Sequence, residues 1–97
     1  MSRYVLLLSY TEQGMAAIKD SPSRAEAFRK SVEIAGGSVE FMSWTLGSVD
    51  GVVVFSVSDE TTAVSLVLGL RRQAMVKTTM LRAFDATEFA AITAKVM

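Results

Sequence analysis

Apolar positions along the chain follow two periods that alternate, one of two residues and one of three to four. Arg3 to Tyr10 has the first period. It predicts a strand with Tyr4, Leu6, Leu8 and Tyr10 on one face and Val5 and Leu7 on the other. Thr11 is placed to cap a short helical turn through Met15 and Ile18. Asp20-Ser21-Pro22 interrupts that turn, because proline disfavours helix at the residue before it. A longer helix follows from the capping-box spacing of Ser23 and Glu26. Its apolar stripe is Ala25, Phe28, Val32 and Ala35, with Arg24, Lys30 and Glu33 facing water, and Gly36-Gly37 supplies its exit.

Ser38 to Leu46 predicts a second strand, in which strict alternation puts Val39 and Phe41 with Ser43 and Thr45, and Glu40 with Met42 and Trp44. Gly47 to Gly51 has turn composition, and Gly51 to Ser58 is a third strand with Val52, Val53, Val54, Phe55 and Val57. The short connection makes these two an antiparallel hairpin. Asp59 caps a helix running to about Gln73, whose stripe is Ala63, Leu66, Val67 and Leu70. Met75 to Phe84 is a fourth strand, and the Asp85/Glu88 capping box opens a last helix carrying Phe89, Ile92 and Val96.

The order βαββαβ plus a C-terminal helix is the split-βαβ, ferredoxin-like pattern of an α+β fold. Strands one and three are apolar on both faces and are therefore central, while strands two and four carry scattered polar residues as edges do. An antiparallel sheet of order 4-1-3-2 follows. The two crossover helices cover one face of such a sheet. The other face still presents large aliphatic side chains, each worth about 1.5–3 kcal/mol on burial. The final helix has a stripe too narrow to roof four strands, so the expected solution is a homodimer, or a higher oligomer, closed face to face into an α+β barrel.

Composition narrows the chemistry. The 97 residues predict one domain, spanning 1–97, and with apolar residues at 51% it has the material for a core. Ten Lys and Arg balance ten Asp and Glu, which argues against a nucleic-acid partner and leaves little repulsion between copies. Cysteine and histidine are both absent, so disulfides, thiol nucleophiles, Ser-His-Asp triads and His-ligated metal or haem drop out. No metal site and no cofactor is expected. The most apolar stretch, Ala63 to Leu70, is interrupted by Ser65 and Gly69 and far too short to span a membrane, and the apolar run after Arg3 makes a poor signal peptide. A cytoplasmic protein is expected.

Few residues then remain to carry chemistry. Asp50 reads either as a general base or acceptor at a barrel mouth, or as the turn residue before Gly51. Lys77 reads either as an anion-binding or proton-taking group, or as a solvated edge-strand gatekeeper. Tyr10 and Trp44 pair an apolar body with a polar handle, which suits a ligand pocket or an interface. Thr79 stands beside them as a ligand-lining candidate in a strand where threonine is also simply a good strand former. Arg71-Arg72 complements a helix dipole.

Four stretches together resemble the GYD domain family: Ser9-Tyr10-Thr11-Glu12-Gln13-Gly14 at the end of strand one, Ala35-Gly36-Gly37 at the helix exit, Gly47-Ser48-Val49-Asp50 in the hairpin, and Lys77-Thr78-Thr79 in the last strand. The hairpin stretch sits where the family carries its Gly-x-Tyr-Asp signature, with Val49 in place of the tyrosine. The resemblance implies a small bacterial protein of dimeric α+β barrel type, in a family of unassigned function. Related barrels include cofactor-independent monooxygenases, haem-handling enzymes and ligand-sensing modules. Two functions are therefore carried forward: a homo-oligomeric module binding an apolar or weakly anionic small molecule, and a cofactor-independent monooxygenase- or isomerase-like enzyme using Asp50 or Lys77. A purely structural partner for other chains is the third.

Overall fold

A computed structural model describes residues 1–97. The elements are β1 (Ser2–Tyr10), α1 (Glu12–Ala16), a 3-10 turn (Ile18–Asp20), α2 (Ser21–Ile34), β2 (Ser38–Trp44), β3 (Gly51–Val57), α3 (Glu60–Arg71), β4 (Val76–Ala83) and α4 (Ala86–Thr93). The strands form one antiparallel sheet in the order β2-β3-β1-β4, which counted from the β4 edge is 4-1-3-2. This is an α+β fold consistent with the ferredoxin-like arrangement.

Helix starts follow local chemistry. The Thr11 side chain accepts from the Gly14 amide at 3.0 Å, and the Asp59 carboxylate accepts from the Thr62 amide at 2.8 Å. Asp85 and Glu88 form a reciprocal capping box on α4. α2 departs from expectation. It begins at Ser21 with Pro22 inside its first turn, where a missing amide leaves no bond unmade. Ser23 therefore lies within the helix, and its hydroxyl donates to the Asp20 carbonyl at 2.9 Å.

The core lies on one face of the sheet. Tyr4 and Leu6 of β1 and Val53, Phe55 and Val57 of β3 meet Phe28 and Val32 of α2 and Ala63 and Val67 of α3. Phe55 is the hub: its ring stacks on Tyr4 and meets Phe28 edge-on, both at 5.6 Å between centroids.

β2 corrects a second expectation. A register shift between Val39 and Phe41 breaks the alternation, so Val39 pairs with Phe55 toward the helices while Phe41 pairs with Val54 on the other face. Glu40 turns to that second face as well, accepting from the Ser56 hydroxyl and pairing with Arg3 at 2.8 Å. The serine hydroxyl first, then Arg3, holds the Glu40 carboxyl below its ordinary range.

The second face carries Val5 and Leu7 of β1, Val52 and Val54 of β3, Phe41 of β2 and Leu81 of β4. Phe41 is 54% exposed and Leu81 46%. α4 does not bury its own apolar residues, since Phe89 and Ile92 are exposed, and the helix ends at Thr93, so Val96, expected to continue the stripe, lies beyond it and is exposed as well. The radius of gyration is 14.5 Å, against about 12.5 Å for a compact domain of this length. No helix is long and apolar enough to cross a membrane.

Candidate functional site

The cavity lies on the helix side of the sheet, where β1 and β2 end and β3 and β4 begin, and it measures about 70 Å³. Leu8, Met42 and Val53 form its sheet wall, and Phe28 of α2, Leu70 of α3 and Met75 before β4 close the other side. Met75 is fixed from outside. The Thr11 amide donates to its carbonyl at 3.1 Å, and the Thr11 hydroxyl donates to the Ala74 carbonyl at 2.7 Å. Ala74 has φ +63°, a left-handed conformation uncommon for a residue with a side chain, which these two bonds help to hold.

Polar groups gather at the mouth. Tyr10, ending β1, places its phenol oxygen 2.6 Å from the Ser21 hydroxyl, and the indole N–H of Trp44 donates to the same oxygen at 3.1 Å. Asp50 lines the wall beside them. Its carboxylate accepts from the Tyr10 amide at 2.8 Å, its own amide donates to the Leu8 carbonyl at 2.7 Å, and its carbonyl accepts from the Thr45 amide at 2.9 Å. Asp50 thus stitches the hairpin loop to the end of β1. Val49, at the tyrosine position of the family signature, adds no hydroxyl, and its carbonyl accepts from the Thr45 side chain at 2.7 Å.

Of the residues singled out from sequence, Tyr10, Trp44 and Asp50 come together here. Lys77 and Thr79 do not. They pair with Ser9 and Leu7 and so project from the opposite face, beside the open aliphatic patch. No group of three or more acidic side chains is placed to hold a metal ion.

Arg24 is the residue that sequence reasoning misplaced. It lines the cavity instead of facing water, and its Nη2 is sealed from solvent with no hydrogen-bond partner. Nη1 donates to the Ala17 carbonyl at 3.3 Å, and no carboxylate pairs with the guanidinium. One signal existed: Arg24 precedes the buried Phe28 by one helical turn and therefore shares its face. A groove of about 220 Å³ between α2 and α3 adjoins the cavity and shares Arg24, Phe28, Leu70 and Gln73 with it.

With this geometry in place, comparison with known proteins adds one finding: the sequence pattern of the GYD domain matches residues 4–93. No curated protein matches the chain.

Proposed function

The chain belongs to the GYD domain family, and from that premise and the cavity geometry we propose a homodimeric module that binds an apolar or weakly anionic small molecule. The observation that carries the reading is the cavity itself: apolar walls with a few convergent polar groups, the usual composition of a ligand site. Its size, about 70 Å³, suits a small molecule or one end of a larger one that leaves past Trp44, itself 52% exposed.

The dimeric α+β barrel completes the proposal. Two copies pair through the open sheet faces and bury Val5, Leu7, Phe41, Val52, Val54 and Leu81, with the exposed stripe of α4 extending the contact. Zero formal net charge leaves no electrostatic bar to self-association. Lys77 and Thr79 then lie between the sheets, away from the cavity. A cytoplasmic setting suits a chain without cysteine.

The cofactor-independent enzyme has less support. That reading uses Asp50 or Lys77: Lys77 stands on the sheet face away from the cavity, and Asp50, which lines it, has its carboxylate engaged by the Tyr10 amide.

Native mass spectrometry of freshly purified protein, with a thermal-shift screen of small metabolites, tests the binding reading. Extra mass on the native particle, or a stabilising metabolite, supports it. Bare protein together with a flat screen overturns it.

A further inference from the structure

Arg24 is unusual among the charged side chains of this protein. A buried polar atom without a partner carries its full desolvation cost, and that cost is larger for a charged group. Here the sealed atom is Nη2 of a guanidinium on a cavity wall, with no carboxylate within ion-pair reach. Beside it lies the cavity of about 70 Å³, well above the roughly 10–15 Å³ that admits a single water. Rotation of the long Arg24 side chain would bring Nη2 into that space.

The mouth has a matching surplus of donors. The phenol of Tyr10, the hydroxyl of Ser21 and the indole of Trp44 bring three polar hydrogens, and the two hydrogen bonds among them use two. One hydroxyl hydrogen is left to donate, from Tyr10 or from Ser21. Ser21 and Arg24 are three residues apart on α2 and so lie on one side of the helix. Both supply donors without a matching acceptor. The one acid on the wall, Asp50, sits on the sheet side and is bound to the Tyr10 amide, so it repels an anionic head toward α2.

We infer that the cavity takes a short-chain aliphatic monocarboxylate, with its carboxylate on Arg24 and the Tyr10–Ser21 pair and its alkyl chain among Leu8, Phe28, Met42 and Met75. This rests on the binding-module reading and gives it a ligand class. The head group is an acceptor-only oxyanion that a guanidinium fork recognises in two-point fashion. The tail is short because the cavity is small.

The chain has one tryptophan, Trp44, and it stands at the mouth, so its fluorescence reports occupancy without a label. Butyrate, butyramide and 1-butanol are titrated into the wild type, Arg24→Lys and Arg24→Met. Butyrate is expected to bind the wild type at least tenfold more tightly than either neutral probe. Arg24→Met abolishes that preference while still taking butanol, and Arg24→Lys keeps part of it. The unliganded Arg24→Met protein unfolds at or near the wild-type temperature or above, because a half-buried guanidinium with one sealed, unsatisfied nitrogen and a single long bond to the Ala17 carbonyl has been replaced by an apolar chain of similar length.

Equal binding of butyrate and butanol, unchanged by Arg24→Met, overturns the carboxylate assignment and leaves the binding module standing. A clear drop in the melting temperature of unliganded Arg24→Met also overturns it, because Arg24 then serves the fold. No response to any probe in the wild type overturns the assignment too. The metabolite screen then decides the broader reading separately.

Discussion

Replacing Gly14 with alanine sets two physical effects of opposite sign against each other. A Cβ at Gly14 would lie 1.9 Å from the Met75 carbonyl oxygen and 2.8 Å from its carbonyl carbon. Both are backbone atoms, so no side chain can rotate aside. Relief requires α1 to lift away from Ala74 and Met75, and the two hydrogen bonds from Thr11 depend on that approach. Their loss costs about 1–3 kcal/mol, taking 0.5–1.5 for each. Overpacking adds about 1–3 kcal/mol of strain. Helix propensity works the other way, favouring alanine by about 1 kcal/mol. The net expectation is a loss of about 1–5 kcal/mol, or a melting temperature lower by about 4 °C at the least and by 20 °C or more at the upper end. Far-UV circular dichroism on heating, with urea titration at constant temperature, measures it. A variant as stable as the wild type, or more so, would refute the close approach of α1 to Met75 and with it the fixed outer wall of the cavity.

Asp50→Ala leaves the Tyr10 amide without its acceptor and should cost about 1–3 kcal/mol in urea unfolding, with Asp50→Asn, which keeps an acceptor oxygen, costing less. An alanine variant of wild-type stability would mean that the Asp50 carboxylate is not a structural pin. Glu40→Gln probes the acid side of the stability profile. The folded-state pKa of Glu40 lies below its unfolded value, so its contribution is present above the ordinary range near ~4.3 and is lost as pH falls through the lowered value. Between neutral and acid pH the urea midpoint of the glutamine variant should therefore change less than that of the wild type. Parallel profiles would show that the Ser56 and Arg3 contacts do not hold in solution.

Much of the fold is legible because local and global signals agree. The caps at Thr11, Asp59 and Asp85 act within one turn, and the unbroken apolar runs of β1 and β3 can only be central. Pro22 was harder to place. Proline both ends helices and opens them, and the Ser23/Glu26 spacing points to a later start, at Ser23, whereas Asp20 at the true N-cap makes no side-chain cap bond. The β2 bulge leaves no clear mark in the sequence, since Val39 and Phe41 are both good strand residues and only pairing with β3 separates their faces. For the site, Tyr10, Trp44 and Asp50 are legible by residue type. Arg24 is not, because a charged residue on a helix ordinarily faces water; only its one-turn spacing to the buried Phe28 marks its side of α2.

The helix side of the sheet holds the core and cavity, and the other side carries an uncovered aliphatic patch flanked by the Arg3–Glu40 pair and Lys77. Sedimentation equilibrium at low micromolar concentration, on the wild type and on Val54→Asp, tests this most directly. The wild type should sediment as a single species of twice the 10.5 kDa chain mass, and the charge placed at Val54 should shift it to the single-chain mass with far-UV dichroism unchanged. A wild type that sediments at the single-chain mass, or a dimer indifferent to Val54→Asp, would contradict the pairing of open faces.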